Sequence, residues 1–193
     1  MTERGILFSA PMVRALLDGT KTQTRRVVKP HPRDDAFVLL DHGDGWWPYR
    51  SEDGESANVD NMEYPFACPY GQPGDRLWVR ETWGFNPDHP GIIAHVCYRA
   101  DPGHEHDGIT WKPSIHMPRA ASRILLEIVS VRVERLQDTS RGDAMDEGCP
   151  FPNMAQGADP RQWYAELWEN INGAGSWAAN PWVWALEFRR IQP

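Results

Sequence analysis

Residues 19 to 26 read Gly19-Thr20-Lys21-Thr22-Gln23-Thr24-Arg25-Arg26, a cluster of one amine, three hydroxyls and two guanidiniums. The segment follows a short helical pattern, Pro11 to Asp18, and opens a strand-like run, Thr22 to Val28. Gly19 suits the helix end because it takes positive φ without a Cβ clash. In the strand that follows, side chains alternate between faces, which puts Thr22, Thr24 and Arg26 together. Lys21 sits at the turn and is not bound by that alternation. The segment can therefore hold an amine, a hydroxyl and a guanidinium around one point, a chemistry suited to a small polar or anionic ligand. Lys21 follows a helix cap, so it is expected outside the core, and its removal is expected to cost little stability.

Gly-x-Lys-x-x-Thr-x-Arg after a short N-terminal helix resembles the signature of ASCH domains, small PUA-like β-barrels associated with RNA. Ile6-Leu7-Phe8-Ser9 and the helix Ala10 to Asp18 resemble the family's opening strand and helix. Trp182-Val183-Trp184-Ala185-Leu186-Glu187-Phe188 resembles its last strand. Leu77-Trp78-Val79-Arg80-Glu81-Thr82-Trp83 and Pro113-Ser114-Ile115-His116-Met117-Pro118-Arg119 are similar to segments of the longer members carried by phages and prophages. The resemblance covers roughly half of the chain, at both ends and in the middle.

That resemblance implies hydrolysis of the acetyl amide of N4-acetylcytidine, carried by a Lys, a Thr and a Glu. The matching positions are Lys21, Thr24 and Glu147, with Asp146 and Asp143 as rivals for the acid. A free lysine titrates at about 10.4, too high for a base at neutral pH. Arg25 and Arg26 would lower it, as burial would; a close Glu147 would raise it. A neutral Lys21 could draw a proton from Thr24 or from a water, and Glu147 could protonate the leaving nitrogen. Arg26 could bind a phosphate, a carbonyl oxygen or the oxyanion, with Arg25 beside it. Rival readings are a non-catalytic RNA-binding module, a ribonuclease and a structural phage protein.

Ten tryptophans are the other unusual feature. Most fall in regular segments and are expected in the core, where they bury large area. Trp46 and Trp47 fall in a Pro/Gly-rich stretch and are the candidates for stacking on a base. Glu81 alternates with Leu77, Val79 and Trp83 and should point inward. A buried carboxylate needs a cation, and Arg26 or Lys21 would serve, which makes Glu81 a structural ion pair or a support for substrate binding.

The 193 residues fit one domain, 1 to 193, with room for insertions. The net charge of −7 argues against a general nucleic-acid binder. Its distribution is uneven: residues 1 to 33 carry seven Lys/Arg and two acids, or +5, and the remainder carries −12. A basic face on an acidic body suits a nucleoside or a short single-stranded RNA as partner, not long duplex. No run of 18 apolar residues occurs, so no membrane span is expected. No basic-then-apolar leader opens the chain, and three widely spaced cysteines argue for a reducing, cytoplasmic setting. No C-x-x-C or H-x-x-x-H spacing appears. His104-Glu105-His106 lies in a Gly/Pro/Asp-rich loop, so neither metal nor other cofactor is expected. Nothing in the pattern sets an oligomeric state.

The elements that must position these residues read as α+β, a PUA-like (ASCH) β-barrel with flanking helices. Strands are expected at 5 to 9, 22 to 28, 76 to 83, 92 to 99, 122 to 136 and 181 to 191. Long insertions are expected at 30–73, holding a short hairpin around Trp46 to Tyr49, and at 100–118. In the long central run, Ile124, Leu126 and Ile128 take one face, and Leu125, Val129, Val131 and Val133 the other. Ser140 and Asp143 form a capping box for a helix that Gly148 closes. Asp159-Pro160 opens a second helix that Gly173 ends. Its apolar face comprises Trp163, Tyr164, Leu167, Trp168 and Ile171.

Overall fold

The computed structural model describes residues 1–29, 37–41, 46–50, 68–103, 108–150 and 159–192, with 37–41 and 46–50 described as backbone. The fold is α+β. Its main sheet has five strands: β1 (Glu3–Leu7), β2 (Gln23–Val27), β5 (Arg76–Arg80), β8 (Leu125–Arg135) and β9 (Trp182–Ile191). Their order is β1-β5-β8-β9-β2, so β1 and β2 stand at the two edges. No ladder joins β1 to β2 among the described residues. Instead, the Arg26 guanidinium of β2 donates to the Leu7 carbonyl at the end of β1, at 2.8 Å.

Among the described residues, two hairpins sit outside this sheet. β3 (Phe37–Asp41) pairs with β4 (Trp46–Arg50), within the expected first insertion. β6 (Trp83–Phe85) pairs with β7 (Val96–Tyr98), the short product of the strand expected at 92 to 99. Ile93–His95 forms a 3-10 turn instead, and residues 114 to 116 and 119 to 121 form two more.

One expectation about β8 is overturned. Val131 and Val133 lie on the same face as Ile124, Leu126 and Ile128, and all five belong to the main core. The cause is a bulge: Ile128 pairs with Phe188 and Ser130 with Glu187, leaving Val129 unmatched and 48% exposed. One extra residue flips every later side chain to the opposite face.

The helices follow their caps. α1 (Ala10–Leu17) buries Val13 and Leu16 and ends at Gly19, whose φ is 75°. α2 (Arg141–Asp146) carries the complete Ser140–Asp143 capping box. α3 (Pro160–Asn172) starts on Asp159, whose side chain accepts from the Arg161 amide. Tyr164 and Trp168 of α3 join Leu136, Ala144 and Val183 in a second core. No helix among the described residues is long and apolar enough to cross a membrane.

Candidate functional site

The turn after α1 carries Lys21 inward. The Thr20 and Lys21 amides both donate to the Ala15 carbonyl at 3.0 Å. The Thr22 amide donates to the Asp146 carbonyl at 2.8 Å, and Lys21 bridges to Glu147. The end of α2 is thus strapped to the start of β2. Gly148 permits the strap. Its φ is 95°, and a Cβ there would stand 3.0 Å from the Ala15 Cβ and 3.3 Å from the Lys21 Cβ.

Lys21 is 2% exposed, so the expectation that it lies outside the core is wrong. Its Nζ donates to Glu147 Oε2 at 2.6 Å and to the Glu147 carbonyl at 2.9 Å, across 126 residues of sequence. The other oxygen, Oε1, accepts from Arg25 Nη1 and from the Tyr164 hydroxyl, both at 3.2 Å. Arg25 is itself buried. Its Nε donates to Glu134 at 2.7 Å, and Nη2 lies 3.1 Å from Asp143 Oδ1. Truncating Lys21 would leave the Glu147 carboxylate short of one buried partner, which carries a stability cost.

The competing influences on Lys21 resolve in one direction. Burial holds the amine below its ordinary value, reinforced by Arg26 and Arg25. Glu147 opposes but does not outweigh it. For Arg25 the balance is reversed. Burial acts against its charge, yet Glu147 and Glu134 hold the guanidinium above its ordinary value. Tyr164 is pushed well above the usual phenol range by burial and by the Glu147 charge, so it stays a donor.

A cavity of about 450 Å³ opens between the end of β1, β2 and α3. Glu147, Arg25, Arg26 and Tyr164 line it, and its apolar wall includes Phe8 and Trp168. Lys21 and Thr24 do not line it, so Lys21 meets the cavity through Glu147. Thr24 is 1% exposed, and its hydroxyl accepts from Arg26 Nη1 at 3.0 Å. Arg26 lies over the Phe8 ring at 5.1 Å and Lys21 Nζ at 5.7 Å, so one ring meets both cations. The amine, hydroxyl and guanidinium do gather near Phe8, but the hydroxyl is joined to the group through Arg26.

The rival acids are otherwise engaged. Asp146 accepts from Gln23 at 3.3 Å, and Asp143 from Arg132 at 2.6 Å. Glu81 points inward as expected and is 1% exposed, but its expected partners are wrong. Arg123 grips it bidentately, at 3.0 and 3.1 Å, and reaches on to Asp101. Arg123 lies next to β8, which pairs with β5 and so faces the end of that strand, whereas Lys21 is engaged by Glu147 and Arg26 by the Leu7 carbonyl and Thr24. Glu81 does not line the cavity, although its neighbour Thr82 does. Trp46 and Trp47 were the expected stacking residues; their side chains lie outside the described residues, as do His104 to His106. Among the described residues no cluster of His, Cys, Asp and Glu suits a metal ion.

Tyr164 escaped the sequence reading, as did the cavity-facing role of Phe8. Both sit in apolar stripes, which read as core. The one available signal was the phenol itself, since a buried tyrosine hydroxyl needs a partner.

The fold and site define a class: an α+β protein with a five-stranded sheet and a buried lysine–glutamate pair against a largely apolar cavity. The chain matches no family model and no curated protein. Among solved structures it is similar to a DUF984 protein, EF3133 of Enterococcus faecalis V583. The likeness covers 100% of this chain and 81% of that one, at 7% identity and a TM-score of 0.41. A likeness that low carries no argument about fold or activity.

Proposed function

We propose that this chain is an ASCH-type, PUA-like protein that hydrolyses the N4-acyl amide of a modified cytosine nucleoside, with N4-acetylcytidine as the type substrate. One observation carries the reading: the buried Lys21–Glu147 pair closes across 126 residues at the wall of a cavity of about 450 Å³. That volume falls within the range of small-molecule sites.

The pair holds one mobile proton. Burial disfavours charge on Lys21, and its amine stands 2.6 Å from Glu147 Oε2, the path along which that proton is passed. Water attacks the acyl carbon and yields its proton to the pair. The carbon–nitrogen bond then breaks, and Glu147, which faces the cavity, returns a proton to the leaving N4 nitrogen. The products are the free cytosine amine and a carboxylic acid, which releases its proton to solvent to become the carboxylate. Arg26 supplies charge for the oxyanion, and Thr24 orients Arg26. The resemblance of Gly19 to Arg26 to the ASCH motif supports the choice of substrate, and the aromatic wall suits a base.

The test is incubation of purified protein with N4-acetylcytidine, following cytidine and acetate by chromatography. Stoichiometric appearance of both is expected. No product from the wild-type protein, together with retention of single-stranded RNA, would replace this reading by the non-catalytic RNA-binding one.

A further inference from the structure

We infer that Tyr164 is the positioning residue of this site: its hydroxyl, with Arg25, anchors one oxygen of Glu147 so that the other alone shares a proton with Lys21. The inference rests on the hydrolytic reading and names a residue that the Lys-Thr-Glu pattern does not contain.

The geometry is asymmetric about the carboxylate. Oε1 receives two donors, Tyr164 Oη and Arg25 Nη1, each at 3.2 Å. Oε2 receives Lys21 Nζ at 2.6 Å. An oxygen with two donors has its lone pairs filled, so it cannot also take up a mobile proton. The carboxylate is thereby held in one rotational state, with Oε2 as its working oxygen. Arg25 is steadied in turn by Glu134 of β8 and Asp143 of α2.

Tyr164 is built to hold that position. It is 3% exposed. Its ring packs against Trp168 at 6.2 Å and edge-on against Trp177 at 6.0 Å, and the Arg25 guanidinium lies 5.9 Å over it. Those contacts belong to the ring, so the hydroxyl can be deleted without opening a cavity. The residue comes from α3, which also supplies Leu167, Trp168, Ile171 and Asn172 to the cavity wall. The helix that shapes the cavity therefore also orients the acid.

The experiment compares wild type with Tyr164→Phe in two measurements. The first is the pH profile of N4-acetylcytidine hydrolysis. The second is the titration of the Lys21 amine by nitrogen NMR on ε-labelled lysine, assigned with Lys21→Met. Tyr164→Phe is expected to fold, to keep KM within about twofold and to lose about tenfold in kcat. The acid limb of its rate profile should move to higher pH, because the charged carboxylate has lost a donor. Its Lys21 amine should titrate about half a pH unit higher, since carboxylate charge once shared with Tyr164 now acts on Lys21. An unchanged kcat and profile would overturn the inference. So would a loss that is uniform across pH with a raised KM, the mark of a merely structural role. If wild type hydrolyses nothing, the hydrolytic reading fails and the amine titration decides alone. A displaced titration in Tyr164→Phe upholds the anchoring, and an unmoved one refutes it.

Discussion

Two buried glutamates, Glu147 and Glu81, have nearly the same exposure, 3% and 1%, and opposite surroundings. Among the described residues, Glu81 has one matched cation. Arg123 forks onto both oxygens and uses its far side for Asp101. That is a closed structural pair near the end of β5. Glu147 has a split set of donors: a lysine on one oxygen, an arginine and a phenol on the other. Its lysine is held below the ordinary value by burial, and the carboxylate faces a cavity. Burial and pairing alone therefore do not distinguish a working carboxylate from a structural one. The distinction lies in whether the partner can give up its proton, which a guanidinium cannot and a desolvated amine can.

The sharpest break between the two is chemical. Glu147→Gln keeps the shape of the side chain but cannot exchange the proton. Hydrolysis of N4-acetylcytidine is expected to fall about a thousandfold, with near-native circular dichroism. Activity within tenfold of wild type would remove Glu147 from the chemistry.

Stability should divide them the other way. Arg123→Ala strands Glu81 without a cation, at a cost of about 3–5 kcal/mol. Lys21→Met leaves Glu147 with Arg25 and Tyr164, at a cost of about 1–3 kcal/mol. Urea unfolding of both variants checks the order. Equal losses would mean that the two clusters are the same kind of structural pair.

Acid titration gives a smaller contrast of opposite sign. Around Asp143, beside the Glu147 cluster, burial acts upward, but Ser140 donors and the charges of Arg25 and Arg132 hold the carboxyl down at about 2. Its folded value lies below its unfolded one. Its contribution is full above the ordinary carboxylate range and is lost as pH falls towards about 2. Glu81 is raised by burial, against the pull of Arg123. The folded state then binds its proton more tightly than the unfolded chain, so this group's penalty at neutral pH eases as pH falls. Asp143→Asn should flatten the acid loss of stability, and Glu81→Gln should steepen it. Thermal melts between about pH 2 and pH 6 report both slopes.

The smallest expected effect is on salt. A site for one nucleoside engages few phosphates. Filter binding of a short single-stranded RNA should therefore give a slope of log affinity against log salt below about 1.4, or two phosphates. Tight binding with a slope reporting four or more would favour an RNA-binding module.

Local signals were legible from the sequence because they act within a few residues. Gly19 ending α1, the Ser140–Asp143 box and the Asp159-Pro160 start of α3 are backbone and cap chemistry, readable in one turn of chain. The inward direction of Leu77, Val79 and Glu81 follows from alternation alone. The reach of Lys21 to Glu147 came from motif resemblance, since no local rule joins residues 126 apart. Tertiary structure decided the rest. The bulge at Val129 reversed the faces of Val131 and Val133, because pairing with β9 sets register and a strand's own pattern does not. Pairing of β8 with β5 gave Glu81 to Arg123, while Arg26 is engaged by Leu7 and Thr24. Packing of α3 against α2 turned Tyr164 from an apparent core residue into a donor on Glu147. The strap between the end of α2 and the start of β2 buried Lys21, whose place after a helix cap suggested a solvated surface. The sequence by itself determined which groups are present and how each short element orients them. Their partners and protonation depend on desolvation and distance between segments far apart in the chain, which exist once the sheet and helices have packed.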